Sequence, residues 1–286
     1  MAKLVQNSEL PQTLMDAVAL AQAHAFVKSR APFAPRLAVI LGSGLGPFAE
    51  QVQDRTVIPT SDIPDYPRST VVGHAGRWIF GAVAGKKILA LQGRVHMYEG
   101  YPPAIVGFPV QLMAELGIQR LIVTNAAGGL NPQFVPGDLM LIDDQINLMF
   151  ANPLRGQHRK EWGERWPDMY APYSPELQKI ALEAALESGI SLRRGVLLAA
   201  KGPSYETAAE VQMARRLGGD AITMSTVPEV IVAVSRRMQV LGISCITNLA
   251  TGLSLHKLDH QEVTETANRI SATFTRLLAG IIGRIG

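Results

Sequence analysis

The sequence predicts an α/β fold on a mainly parallel sheet, and three observations carry that expectation. Apolar runs of strand length alternate with helix-patterned runs along the whole chain. No internal repeat or low-complexity linker breaks the alternation, so residues 1–286 read as one domain. At least five strand-like runs end in glycine or polar residues: Ser43, Arg94 with His96, Asn125, Tyr205 with Glu206, Ser225 and Asn248. Open α/β sheets bind ligands at the carboxyl ends of their strands.

Composition narrows the class. Hydrophobic residues make up 47% and charged residues 18%, a balance suited to a large buried core. Lys and Arg number 27 against 24 Asp and Glu, a net charge of +3. The basic residues are dispersed, clustering only as pairs such as Arg193-Arg194 and Arg236-Arg237, so no nucleic-acid partner is expected. The single cysteine, Cys245, excludes an internal disulfide and sits in an apolar run, as a buried small hydrophobe does. No signal-peptide pattern and no bilayer-length apolar run is present; a cytoplasmic protein without membrane contact is expected.

In chain order, residues from about Ser8 to Ala25 carry apolar positions at helical spacing, and Pro32 and Pro35 close that helix. The strand Leu37 to Leu41 leads into Gly42-Ser43-Gly44-Leu45-Gly46, a turn that offers backbone N–H groups to an anion and frees the Ser43 hydroxyl. Its spacing is not the dinucleotide fingerprint. Thr56 to Arg68 is proline-rich and reads as loop. Gly73 to Gly76 is a turn bearing His74. Arg77 to Val83 and Lys86 to Leu91 read as two strands joined by Ala84-Gly85.

After that second strand, Gly93 breaks the pattern, and alternation points Arg94 and His96 the same way. A guanidinium fork and an imidazole at one strand end suit a phosphate. Tyr98 and Glu99 follow, placed to serve a polar ligand beside the anion. Pro102 and Pro103 open a helix over Ala104 to Leu116, ended by Gly117. Strand Leu121 to Thr124 runs into Asn125-Ala126-Ala127-Gly128-Gly129, small residues that let a ligand approach the backbone. Leu139 to Ile142 is a further strand.

Asn152 to Pro172 is long, polar and proline-interrupted, and holds Trp162 and Trp166; such a segment suits an interface or a lid. Ser174 to Ser188 is a helix with Leu177, Ile180, Ala181, Ala184 and Leu186 inward. Gly195 to Ala200 is a strand opening into Lys201 to Thr207, where Glu206 reads as a first-turn helix acid. That helix runs to Leu217. Asp220 to Thr226 is strand then turn, and Pro228 opens a helix to Arg237. Val240 to Thr247 delivers Asn248, and Val263 to Ile285 is the closing helix.

Seven stretches, in order along the chain, carry a resemblance: Gly42 to Gly46, Gly73 to Gly76, Gly93 to Tyr101, Asn125 to Gly129, Gly202 to Thr207, Met224 to Val230 and Thr247-Asn248. Together they resemble the trimeric class of purine nucleoside phosphorylases, of bacterial type. The resemblance implies an α/β fold with a mixed, distorted barrel-like sheet flanked by helices. It implies a homotrimer, no metal and no organic cofactor, with inorganic phosphate as co-substrate. The implied reaction converts a purine nucleoside and phosphate to free base and pentose 1-phosphate. Carried over residue by residue, Ser43, His74, Arg94, His96, Ser225 and the Ala126 backbone N–H resemble phosphate ligands. Tyr98, Tyr205, Met224 and His260 resemble ribose contacts, with His260 chosen over His256 from its Asp259-His260-Gln261-Glu262-Val263 context. Glu206 and Asn248 resemble the base-binding pair. Asn248, His96 and Glu206 are the catalytic set, and Trp162, with Trp166 close by, stands where an aromatic reaches a neighbouring subunit's site. Tyr205 replaces a phenylalanine of the mammalian enzymes, and Thr223 stands where glycine is expected.

The chemistry implied is electrostatic. An oxocarbenium-like sugar and a departing purine that gains negative charge both need stabilising. Phosphate held by Arg94, His96 and Ser225 answers the first, and the amide of Asn248 the second. A hydrolase on the same fold would not need that anion site. A methylthioadenosine phosphorylase would carry aspartate at Asn248, and a xanthosine-preferring phosphorylase is close. A non-catalytic nucleotide-binding module lacks the acidic ribose reader it would use.

Overall fold

The computed structural model describes residues 17–71, 73–156, 158–254 and 260–286, without the side chains of residues 260–262 and 264. The expected helix start near Ser8 lies outside the described residues. Helix α1 (Ala17–Arg30) runs past Ala25, because no breaker comes before Pro32.

Among the described residues nine strands follow: β1 (Leu37–Leu41), β2 (Gln53–Pro59), β3 (Arg77–Val83), β4 (Lys86–Gln92), β5 (Arg120–Gly129), β6 (Leu139–Asn147), β7 (Leu192–Ala199), β8 (Ala221–Thr223) and β9 (Gln239–Leu249). They form one sheet in the order β2-β3-β4-β1-β5-β8-β7-β6-β9. Because β9 also pairs with β5 over its whole length, the last five strands close on themselves as a small barrel. The sheet is mixed and barrel-like, as the resemblance implies, with parallel pairings the majority. β1 runs parallel to β4 and β5, whereas β3 is antiparallel to both β2 and β4. The two-residue turn Ala84-Gly85, with φ of 49° and 76°, permits only an antiparallel hairpin. The proline-rich stretch expected as loop begins inside β2, whose Pro59 sits at the edge of the sheet where a missing donor is tolerated.

The helices between strands are α2 (Pro103–Val106), α3 (Phe108–Glu115), α4 (Pro175–Glu187), α5 (Ala208–Arg216), α6 (Val227–Ser235) and α7 (His260–Arg284). The single helix expected over Ala104 to Leu116 is broken at Gly107, where Pro109 lies just beyond and cannot donate into a continuous ladder. Both faces of the open sheet are covered. Along β4, Leu89 and Leu91 enter one core with Trp78, Phe80 and Phe108, while Ile88 and Ala90 enter the other with Leu277 and Ile281 of α7. Trp78 is fully buried and its Nε1 donates to Tyr66 Oη at 3.0 Å. Cutting Trp78 back to alanine would cost about 3–5 kcal/mol. Leu186, expected inward, is 82% exposed: it falls off the Leu177–Ala181–Ala184 stripe that α4 buries.

Candidate active site

Strands β1, β4, β5, β8 and β9 end around one cavity of about 450 Å³. Ser43, Arg94, His96, Ala126 and Ser225 line it, and so do Tyr98, Tyr205, Glu206, Met224 and Asn248. Local sequence makes the convergence possible. A Cβ on Gly42 would lie 2.7 Å from Asn125 Cα, so only glycine lets the β1 turn pass so close to β5. Gly93 turns the chain at φ 96°, and a side chain there would meet His74 Cβ at 2.8 Å. A register shift between Ala127 and Gly128 sets Asn248 opposite Gly128, and such a bulge re-aims side chains at a site.

Arg94 is the most constrained group in this cavity. Its side chain is almost wholly buried. Nη1 donates to Ser225 Oγ at 3.1 Å and to Thr226 Oγ1 at 3.0 Å, and Nη2 donates to the Thr124 carbonyl at 2.5 Å. Glu229 Oε2 lies 3.1 Å from Nη1 as an equally buried ion-pair partner. Nε is buried and has no hydrogen-bond partner among the described residues. The Nε edge of the guanidinium is therefore the edge not spent on the protein. Asn125 holds the clamp from the other side, its Nδ2 donating to Thr226 Oγ1 at 2.9 Å. Thr226 keeps a left-handed φ of 72°, strain that these bonds offset.

Three rings stack beside the guanidinium. His74 and His96 lie 5.3 Å apart, and His96 and Tyr98 4.6 Å apart at 14°. Burial pushes the His96 imidazole below its ordinary value, against the opposing pull of Glu99. Glu99 Oε1 accepts from the His96 N–H at 2.7 Å and faces His96 Nδ1 at 3.1 Å, so Nε2 of the neutral ring presents a lone pair. Glu99 is held at about 2: burial opposes ionisation, but the bonds from His96 and Thr70 outweigh it. It is thus not beside the ligand but behind His96. Burial pushes Tyr98 up to about 12, keeping it a neutral hydroxyl.

Asn248, near the end of β9, also lines the cavity and is 4% exposed. Its Oδ1 accepts from Thr247 Oγ1 at 2.9 Å and its Nδ2 donates to the Leu249 carbonyl at 3.1 Å, which leaves one lone pair and one N–H. Burial raises the Glu206 carboxyl above its ordinary value. Glu206 is not a first-turn acid: Thr207 caps α5 in a reciprocal box with Glu210, and Glu206 stays outside the helix facing the cavity. Thr223 also lines the cavity, its Oγ1 donating to the Ala126 carbonyl at 3.1 Å and lying 3.3 Å from Ser225 Oγ.

Two expected contacts stand elsewhere. His74 does not line the cavity; its Nε2 is 3.0 Å from Ser43 Oγ and its Nδ1 2.7 Å from the Arg94 carbonyl, so it backs both residues. Trp162 packs against its own core beneath Arg159 and does not line the cavity of its own chain. The side chain of His260 and all of His256 lie outside the described residues. Sequence reasoning missed Thr124, Thr226 and Glu229. The signal for Glu229 was its place three residues after Thr226, the spacing at which an acid reaches back to a helix cap.

Residues 36–283 match the family model of the phosphorylase superfamily, and the chain belongs to that family. Within it the chain stands with the bacterial-type purine nucleoside phosphorylases. It is 49% identical to purine nucleoside phosphorylase 1 of Geobacillus stearothermophilus over 268 residues, 94% of this chain and 98% of the relative. Identity to the Mus musculus purine nucleoside phosphorylase is 42% over 254 residues, 86% and 88% of the two chains. Among solved structures, the Schistosoma mansoni purine nucleoside phosphorylase in complex with inosine superposes with a TM-score of 0.90 at 34% identity, covering 95% of this chain and 98% of that one.

Proposed function

We propose that this chain catalyses the reversible phosphorolysis of purine nucleosides, with a preference for 6-oxopurines, giving free base and ribose or deoxyribose 1-phosphate. The observation that carries the reading is the lining of one cavity, which brings together a guanidinium, an imidazole and two hydroxyls with a carboxylate and an amide. Phosphate meets the Arg94 guanidinium with Ser43, Ser225 and the Ala126 N–H, and its own proton faces Nε2 of His96. Tyr98, Tyr205, Met224 and His260 contact the sugar. As the glycosidic bond stretches, the phosphate oxygens stabilise the cationic sugar and then bond to its anomeric carbon. The bonding electrons leave with the purine, where the free N–H of Asn248 meets O6 and its oxygen meets N7 as that nitrogen takes up a proton from solvent. Glu206 accepts from N1–H. Fixing phosphate against the sugar can lower the barrier by ~7–11 kcal/mol in favourable cases.

The reading extends to one domain over residues 1–286, no metal or organic cofactor, a cytoplasmic site and a role in purine salvage. Among the described residues no helix is long and apolar enough to cross a membrane. A homotrimer is supported by apolar surface left open on one chain: Phe150, Trp166 and Tyr170 are 87%, 84% and 91% exposed. With Trp162 packed inward, Trp166 is the better candidate for a contact to the neighbouring subunit. Product analysis with inosine, guanosine, xanthosine and adenosine, each with and without phosphate, tests the reading. Phosphate-dependent cleavage of inosine and guanosine supports it; phosphate-independent release of base refutes it.

A further inference from the structure

We infer that Glu229 is a positioning residue for the anion site: it fixes which edge of the Arg94 guanidinium faces the bound phosphate. The inference rests on the phosphorolysis reading for the identity of the anion, but its geometry stands without it. Glu229 and Arg94 are each 2% exposed at the side chain, and Oε2 lies 3.1 Å from Nη1. A buried carboxylate costs several kcal/mol in desolvation and serves as weak evidence of stability by itself. Here its setting is specific. Glu229 occupies the third position of α6 and accepts from the backbone N–H of the cap residue Thr226. That is half of a capping box. The other half is missing, because the Thr226 hydroxyl is turned away to accept from Arg94 and Asn125. The first turn of α6 is thus built around the arginine and not around itself.

The consequence concerns the five N–H donors of the guanidinium. Both Nη1 hydrogens are spent on Ser225 and Thr226, under the charge of Glu229, and Nη2 is anchored on Thr124. That leaves the Nε edge, buried and without a hydrogen-bond partner among the described residues, as the edge an oxyanion would have to reach. Without the carboxylate beside Nη1, no ion-pair partner among the described residues holds the guanidinium in that rotation. Glu229 touches no lining surface of the cavity, so it acts through Arg94 alone.

Glu229→Gln isolates this role. The glutamine oxygen keeps the bond from the Thr226 N–H, which places its amide N–H₂ against Nη1, donor against donor. Calorimetric titration with inorganic phosphate, with circular dichroism as a folding control, reads the result directly. Phosphate affinity should fall by about tenfold or more, the loss expected for one charge-assisted contact. KM for inosine should stay within about threefold, since the base end is untouched. Glu229→Asp, which keeps the charge but draws it back from Nη1, should weaken phosphate in the same sense and serves if the glutamine variant does not fold. Unchanged or tighter phosphate binding in the folded variant overturns the inference, because loss of a merely compensating negative charge would strengthen an anion site. A wild-type protein that binds phosphate but does not use it on inosine would instead refute the phosphorolysis reading.

Discussion

The hydroxyl of Ser43 lies 3.0 Å from Nε2 of His74, a histidine that stands behind the cavity and not in it. Nδ1 lies 2.7 Å from the Arg94 carbonyl and 3.1 Å from the Arg94 backbone N–H, so the ring is held on Arg94 through either of its tautomers. One ring therefore ties the β1 turn to the residue that carries the guanidinium. Replacing His74 by alanine should weaken phosphate by a few-fold, about the worth of one neutral hydrogen bond. Titration with inorganic phosphate checks it, and a loss as large as that of an arginine deletion would mean His74 is itself a ligand.

The same histidine should make stability depend on pH. Burial pushes it from 6.5 down to about 4 in the folded chain. Between those values the unfolded chain takes up a proton that the folded chain refuses. Stability therefore falls as pH drops from about 6.5 toward about 4, by at most on the order of 3 kcal/mol. His74→Asn should flatten that slope in denaturant titrations run across the window. An unaltered slope would place the pH dependence in other groups.

Arg94→Ala should raise KM for phosphate at least tenfold and lower turnover, because a charge-assisted bidentate contact is lost and Glu229 is left buried without its partner. The variant should also unfold at lower temperature. Phosphate saturation identical to wild type would remove Arg94 from the site.

Asn248→Asp should move the preference toward adenosine, chiefly by weakening inosine. Adenine inverts the pattern at N1 and at the 6-position, and a buried mismatch of donors can discriminate by up to ~10⁴–10⁵. The Thr247 and Leu249 contacts hold the amide in one orientation, which favours strong discrimination. The quantity to measure is the inosine-to-adenosine ratio of kcat/KM. A ratio that does not move would make Asn248 a turn residue and nothing more.

Assembly is open to a separate test. Trp166→Glu places a charge on the most exposed tryptophan of the long Asn152–Pro172 segment. Sedimentation should show a trimer for the wild type and smaller species for the variant. A wild type that sediments as a monomer at assay concentration contradicts the trimer.

Much of this site was legible from strand ends. A glycine or polar residue closing an apolar run marked Ser43, Arg94, His96, Asn125, Ser225 and Asn248, and the barrel brings those ends together. What strand reading could not supply was depth. Glu99 and Glu229 look alike in sequence, acids near a turn, yet one is folded behind His96 and the other is sealed under Arg94. Glu229 is sealed by packing against Arg94, far away along the chain, and no local pattern encodes that, whereas Glu99 reaches back to His96 and across to Thr70. The mixed sheet was hidden for a related reason: helix-patterned runs between strands suggest parallel crossovers, whereas β6 pairs antiparallel with β9 through barrel closure.

The central claim is that phosphate, not water, attacks the sugar in this cavity. The direct measurement is phosphorus magnetic resonance on the full chain with inosine and inorganic phosphate. The account predicts a new phosphate-ester signal of ribose 1-phosphate growing in step with hypoxanthine, and none without enzyme. Hypoxanthine released together with free ribose, at a rate indifferent to phosphate, would contradict it.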